Sequence, residues 1–474
     1  MSSADEVLAE LRALRAADLP THGGRTLAYV YDSGIDGLDE LSAAAHALAA
    51  SANGLDPTAF PSLLRMENDL VAAASELLGG TARTVGSVTS GGTESCMLAV
   101  LAAREGNPGV AEPNVVLPST AHAAFHKAAH LLRVRPVVVP VDPVTFRADP
   151  ASMAAAIDGD TVLVVASAPS YAHGVLDPIA GIAAGAAARG VRVHVDACIG
   201  GWVLPYFRRL GRDVPEFGFA VDGVTSASVD LHKYAYAPKS ASVLLHADAE
   251  LRRGHFFASA GWPGYTMLNS TLQSTRSGGP LAAAWAVLRH VGDDGYLALA
   301  RAALDAVEAM RAEITAIRGL RLVAEPDSTL LALTTDDDGI DLFTVADEMG
   351  ARGWYVQPQF AHGDSPVNLH LTVTAANRGS EAEFAAALRA SVAAARAAGP
   401  VVVDEGIAAF LADLDPDSLS EEEFGRLLAA AGMGGGAGLP DRMAEINAML
   451  AIARPRLRER LLQEFLGLLH RPQG

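Results

Sequence analysis

The chain has 474 residues, enough for about three folding units at roughly 150 residues each. Apolar residues make up 50% and charged residues 19%, which excludes disorder over most of its length. The formal net charge of -19 argues against broad electrostatic binding to nucleic acid or an anionic membrane, although a local basic site could still hold one phosphate.

In chain order, residues 1–54 predict a helical arm, one or two helices around the turn-like stretch THGGRTLAYVYDSG. The opening MSSADEVLAELRALRAADLP is charged and lacks the apolar run of a signal peptide. Residues 55–290 alternate short β-branched runs with Ala/Leu-rich runs and predict a large domain. Its strands are expected at Val115–Leu117, Val137–Val141, Val162–Ser167, Val191–Val195, Gly223–Ser228 and Ala241–Leu245. Its helices are expected at Glu67–Leu78, Thr93–Glu105, Ala121–Leu132 and Ile179–Arg189. Such alternation predicts an α/β fold with a mostly parallel sheet. A long helical stretch over 281–318 leads into a smaller α+β domain, residues 291–400. Its strands are expected at Leu320–Ala324, Thr329–Thr334 and Val367–Thr374, with helices near 341–352 and 380–398. Residues 401–474 predict a helical extension, with a capping-box pattern at Ser420–Glu423 and a glycine run over 432–438. Leu457, Leu461, Phe465 and Leu469 recur every fourth residue, one stripe of a helix that packs on its own domain or on a partner subunit. No run of about 18 uncharged apolar residues occurs, so no membrane span is expected. Two cysteines, Cys96 and Cys198, cannot build a disulfide framework or a four-cysteine zinc site, and packing is their expected role. A soluble, cytoplasmic protein follows as the expectation.

The strongest chemical signal is Ser228-Val229-Asp230-Leu231-His232-Lys233-Tyr234. A lysine directly after a histidine, beyond a strand, suits a pyridoxal phosphate enzyme, whose cofactor aldehyde condenses with the amine as a Schiff base. The adjacent His232 can donate to the cofactor phosphate. Asp196 ends an apolar strand and can bond the pyridine nitrogen, keeping it protonated as an electron sink. Thr89-Ser90-Gly91-Gly92-Thr93-Glu94-Ser95 opens a helix, whose free N–H groups and dipole could bind the phosphate without arginine. His122, at the start of another helix, could stack on a flat ring. His122, His126 and His130 stand four apart but have no acidic or cysteine ligand near them in sequence, and no metal centre is expected.

Together these segments resemble the fold-type-I, pyridoxal-phosphate-dependent group II decarboxylase family, and within it the sphingosine-1-phosphate lyase-like branch. The resemblance runs from about Ala52 to His290. It rests on FPSLLRMEND (60–69), VTSGGTES (88–95), STAHAAFHKAAH (119–130), SAPSYAHGVLDPI (167–179), HVDACIGGWVLPY (194–206), DLHKYAYAPKS (230–240) and TRSGGPLAAAWAVL (275–288). It implies that Lys233 is the Schiff-base lysine, His232 with Gly92 and Thr93 the phosphate ligands, His122 the ring-stacking residue and Asp196 the partner of the pyridine nitrogen. It implies that Thr275 to Gly278 reach the cofactor phosphate of a second subunit, so that a homodimer shares its active sites. Tyr171 and Lys239 match residues that contact the substrate phosphate in the lyase branch, with Tyr31 as a third candidate. The segment Asn53-Gly54-Leu55-Asp56 aligns with one that carries a phosphate-holding histidine, and here Asp56 stands in its place. A carboxylate beside a phosphate is repulsive in a low-dielectric cleft. Either the substrate is not a phosphate ester, or Asp56 points elsewhere, or another group compensates.

The resemblance implies a carbon–carbon lyase acting at Cα of a small amino substrate held as an external aldimine. An amino-acid decarboxylase is the alternative, and a catalytically silent interaction protein of this fold the third reading. Tyr171 and His173 are candidates for handling a β-hydroxyl proton, and Tyr234 and Tyr236 are equally available by sequence.

Overall fold

The computed structural model describes residues 2–430, 440 and 442–471; the glycine run over 432–438 lies outside them. Seven strands form the large sheet: β1 (Val85–Thr89), β2 (Asn114–Pro118), β3 (Arg135–Val139), β4 (Thr161–Ser167), β5 (Arg192–Asp196), β6 (Val224–Asp230) and β7 (Ser242–His246). Their order is β1-β7-β6-β5-β4-β2-β3, and β7 alone runs against its neighbours. The predicted mostly parallel α/β sheet is therefore present. Strand β4 shows why its sequence reads as a continuous apolar run. Leu163 and Val165 pack into one helical layer with Val100 and Phe125. Val164 and Ala166 pack into the other with Ile182, Val203 and Val287. Side chains alternate along a strand, so covering both faces removes every position from water.

Several predicted boundaries shift. Strand β3 ends at Val139 rather than Val141, because its pairing with β2 stops at Pro118. The helix expected from Glu67 starts at Pro61, where the ring is pre-set for the first turn. Strand β1, VGSVT, has no expected counterpart. Its glycine and serine hide the pattern, and only pairing with β7 makes it a strand.

A hairpin of β8 (Phe257–Ser259) and β9 (Met267–Asn269) precedes the helix Gly279–Thr315. That helix kinks at Gly292, whose φ of +62° favours glycine. The antiparallel small sheet comprises β10 (Leu320–Leu322), β11 (Leu330–Thr335), β12 (Gln357–Gln359) and β13 (Asn368–Thr372). Helices Leu342–Ala351 and Glu381–Ala398 cover it around a second core that includes Leu331, Val345, Leu371 and Leu388.

Helices Glu405–Asp413, Glu421–Ala430, Ala444–Ile452 and Pro455–Leu469 close on a core of their own around Leu411, Ile446 and Leu457. The predicted capping box forms: Ser420 Oγ accepts from Glu423 N at 3.2 Å, and Ser420 N donates to Glu423 Oε2 at 2.8 Å. The predicted stripe is buried at Leu457 and Leu461 and reaches solvent by Leu469. This unit packs on its own chain, since Asp347 accepts from the N–H groups of Met443 and Ala444, each at 2.9 Å.

Candidate active site

Parallel strands β4, β5 and β6 end at one edge of the sheet, with Ser167 opposite Asp196 and Asp196 opposite Ser228. Open α/β sheets collect ligands at this edge. A cleft of about 440 Å³ lies there. Its lining unites Gly92, Thr93, His122, Tyr171, Asp196, His232, Lys233 and Lys239, eight of the sequence-predicted site residues.

Lys233 Nζ stands 3.0 Å from Asp230 Oδ2, and Asp230 is almost wholly buried. Burial works against both charges, but their attraction wins: the lysine pKa rises well above its ordinary value and the aspartate falls below its own. Ser242 Oγ donates to Asp230 Oδ1 at 2.6 Å. Asp230 had no assigned role in the sequence, although the spacing D-x-x-K from a strand end would have pointed to it.

Asp196 accepts from the Cys198 N–H at 3.1 Å. At Gly92 a Cβ would sit 2.8 Å from both Asp230 carboxylate oxygens and from Cys198 Sγ, so a side chain there would close this wall. Ser90 N donates to Glu94 Oε2 at 2.6 Å, which ties down the start of the helix Gly92–Glu105. Ser167 Oγ is buried at the cleft and has no hydrogen-bond partner among the described residues.

Histidine chemistry departs from expectation at one point. His232 Nδ1 is 2.9 Å from the Ala241 carbonyl, which can only accept, so this nitrogen carries the proton. Nε2 can then donate to a phosphate only from the imidazolium, and burial lowers the His232 pKa. His122 caps the helix Ala123–Leu132, its Nδ1 accepting from Ala124 N at 3.2 Å. The Tyr171 hydroxyl donates to Gln357 Oε1 at 2.6 Å, and its ring stacks on His370 with centroids 4.2 Å apart. Burial raises the Tyr171 pKa, so the phenol keeps its proton. Lys239 Nζ donates to the Tyr29 carbonyl at 2.8 Å and lies 5.1 Å from the centre of the Tyr31 ring.

Other candidates fall outside the cleft lining. His173 is buried, stacked on Phe146 and bonded to Ser365 Oγ at 2.9 Å, and burial pulls its pKa down to about 4. Tyr234 gives its hydroxyl proton to the Val373 carbonyl, and the Tyr236 hydroxyl accepts from Ala375 N. Tyr31 packs edge-on against Tyr234 and lines a separate cleft with Asp32 and Tyr236. Thr275 and Gly278 line a second cleft of about 560 Å³, which meets the first at Ser90 and Ser240. Arg276 fixes that loop through the Val88 carbonyl at 2.9 Å and Glu67 at 3.4 Å. Asn53 Oδ1 accepts from Leu55 N and Arg276 N. Asp56 is exposed and its Oδ1 accepts from Thr58 N, Thr58 Oγ1 and Ala59 N, which holds its carboxyl below the usual range. Of the three readings of Asp56, this geometry is the one in which it points elsewhere.

Comparison with known proteins places these features. The family profile "Pyridoxal-dependent decarboxylase conserved domain" matches residues 30–335, and "Pyridoxal-dependent enzyme, C-terminal putative HTH domain" matches residues 405–468. The sphingosine-1-phosphate lyase of Dictyostelium discoideum is 39% identical over 349 residues, covering 73% of this chain. The chain spans 65% of the length of that relative. A protein of Pyrococcus furiosus named "Probable L-aspartate decarboxylase" is 30% identical over 350 residues, covering 74% of this chain and 91% of its own length. The solved structure of a sphingosine-1-phosphate lyase from Burkholderia pseudomallei superposes with a TM-score of 0.79 at 36% identity, covering 84% of this chain and 92% of the other.

Proposed function

The chain belongs to the pyridoxal-dependent decarboxylase family, in the branch of the sphingosine-1-phosphate lyases, and from this premise we propose that it cleaves the Cα–Cβ bond of a phosphorylated 2-amino-3-hydroxy chain. Its cofactor is pyridoxal phosphate, and its fold is fold type I of the enzymes that use it. The residues present fit that group: a lysine amine, a buried carboxylate, a helix start and the unpartnered Ser167 hydroxyl share one cleft.

When bound, pyridoxal phosphate draws off the electron pair of the bond broken at the substrate Cα. Lys233 would hold the group by its amine and afterwards move a proton at Cα. Asp196 would keep the ring nitrogen protonated. Gly92 and Thr93 would receive the phosphate on first-turn N–H groups, and His122 would lie along the ring. Tyr171, a protonated phenol that donates to Gln357, would orient the β-hydroxyl by accepting a hydrogen bond from it.

The Lys233–Asp230 ion pair sets a condition, because condensation with an aldehyde needs the free amine. Replacing Asp230 by Asn leaves the buried ammonium uncompensated, so the pH midpoint for attaching pyridoxal phosphate to Lys233 should fall by about one unit or more. Visible absorbance of the attached cofactor against pH measures it. An unchanged midpoint in a folded variant would remove Asp230 from this role.

The observation that carries the lyase reading is Lys239, a second cation lining the Lys233 cleft with Tyr171. Losing a charge-assisted contact to an anion costs about 1.5–3 kcal/mol, so Lys239→Ala should raise KM for a phosphorylated sphingoid base roughly 10- to 100-fold. Turnover of wild-type protein on a panel of such bases and common amino acids should give aldehyde. Carbon dioxide alone, from a non-phosphorylated amino acid, would overturn the proposal. Decarboxylation remains the second reading because of the Pyrococcus furiosus relative. The charge argument from Asp56 carries less weight, since that carboxylate is exposed, turned to Thr58 and Ala59 through Oδ1, and does not line the Lys233 cleft.

We further infer a homodimer in which Thr275 and Gly278 complete the partner's phosphate site, the two clefts of one chain meeting at Ser90 and Ser240. Full activity from a sedimenting monomer would refute it. No helix among the described residues is long and apolar enough to cross a membrane. Two free thiols suit a cytoplasmic location.

Finally, we infer that the 405–468 unit packs on its own chain and does not read nucleic acid. Residues 401–474 carry seven arginines against twelve Asp and Glu. Arg442, Arg456 and Arg460 pair with Glu348, Asp417 and Glu464, and Arg454 and Arg458 bond backbone carbonyls. Asp347 occupies the N-terminus of the helix Ala444–Ile452. A labelled duplex at low salt should show no binding by fluorescence polarisation; salt-dependent binding would contradict the inference.

A further inference from the structure

Cys96 and Cys198, the two cysteines of this chain, both line the Lys233 cleft, and the reaction proposed above uses neither. Cys96 comes from the start of the helix Gly92–Glu105, and Cys198 from the turn that follows β5. Both sulfurs and a carboxylate oxygen of Asp196 lie within 4.8 Å of one another. Around a tetrahedral ion with metal–sulfur bonds of about 2.3 Å, two sulfurs stand about 3.8 Å apart. The three donors therefore need little movement to share one ion.

The donor set selects the ion. Two sulfurs and one carboxylate suit zinc or cadmium and not magnesium or calcium, which take oxygen ligands. Nearby charge favours a cation, because Asp230 adds a second carboxylate while Lys233 is already paired with it. The fourth position would open onto the cleft. The hydrogen bond between the two thiols, followed by burial, raises Cys198, and burial with the neighbouring carboxylates outweighs that same hydrogen bond to raise Cys96, so a divalent ion would displace two protons to solvent as two sulfur–metal bonds form.

We propose that the cofactor-free cleft binds one soft divalent cation through Cys96, Cys198 and Asp196, and that this cation and pyridoxal phosphate exclude one another. Exclusion rests on the role given above to Asp196: a divalent ion on one of its oxygens would repel the protonated pyridine nitrogen held by the same carboxylate. A soft cation would then bar cofactor loading without touching Lys233.

Cadmium chloride titrated into protein stripped of pyridoxal phosphate tests this. A sulfur-to-cadmium charge-transfer band should saturate at one cadmium per chain, with the intensity of two thiolates. Cys96→Ser and Cys198→Ser should each weaken binding more than about 100-fold, beyond the loss typical of an outer-shell partner. Asp196→Asn should weaken it while leaving the band shape of two thiolates. No band in the stripped protein, or one of single-thiolate intensity, would overturn the site without recourse to any variant. A band unchanged in both folded cysteine variants would also overturn it. Protein whose cofactor is fixed to Lys233 by borohydride should show no band, and a full band there would overturn the exclusion. Failure to fix any cofactor, with cadmium still bound, would count against the cofactor reading and leave the cation site supported.

Discussion

Lys233→Ala should abolish the visible absorbance that appears when pyridoxal phosphate is added, together with the covalent label left by borohydride. Turnover should fall at least about 10³-fold, the scale of a lost acid–base group. The variant has a second, structural consequence. Asp230 is buried, and Lys233 Nζ at 3.0 Å is its close cationic partner, with His232 Nε2 at 3.6 Å and largely neutral. Removing one member of a buried ion pair strands the other at a cost of about 3–5 kcal/mol. The alanine variant should therefore also melt lower, and Lys233→Ala combined with Asp230→Asn should recover part of that loss while staying inactive. A singly substituted protein that still forms the borohydride-stable label would place the Schiff base on another lysine.

Acid should unfold this protein well above the range in which carboxylates titrate. His173, His194 and His255 have pKa values pulled down to about 4, and His370 to about 3, in each case mainly by burial. His246, bonded to His255 at 3.3 Å, is also displaced downward. A depressed histidine is neutral in the fold and protonates readily in the unfolded chain, whose value is about 6.5. Its contribution is complete above pH 6.5 and is lost as pH falls toward the folded value. At pH 5 His173, His194, His255 and His370 each cost up to about 2 kcal/mol. Coupling between His246 and His255 makes the sum less than additive, yet the total rivals the 5–15 kcal/mol stability of a typical protein. Asp177 opposes the trend. Burial raises its pKa to about 6, so it gains protons in the fold first and returns on the order of 1 kcal/mol at pH 5. The urea midpoint should drop steadily from pH 6.5 to pH 5, and a flat profile over that interval would sink the argument.

Much of the site was legible because its parts are short, contiguous and chemically unusual. His232-Lys233, the Gly91-Gly92-Thr93 turn and the strand-end Asp196 each announce a function from a few neighbouring residues, and the fold unites them in one cleft. His173 failed for the opposite reason. It sits two residues from Tyr171, and the turn between them sends one ring to the cleft and the other to Phe146 and Ser365. Strand β1 was illegible because VGSVT owes its conformation to β7, more than 150 residues away. Asp56 looked like a charge in the wrong place until the fold put it in an exposed turn, its Oδ1 bonded to Thr58 and Ala59.

Length, alternation and local motif thus determined the α/β class and the parallel strands and singled out Lys233 for the proposed Schiff base, since strand burial and helix starts are written in runs of a few residues. The charge of -19, which at first only excluded polyanion partners, says nothing about where charges meet. Tertiary structure alone decided that Tyr171 bonds Gln357, that Arg276 ties its loop to Val88 and Glu67, and that Cys96, Cys198 and Asp196 converge. Each of these is a contact between separate elements, set by packing and hydrogen-bond geometry that no single stretch of chain contains.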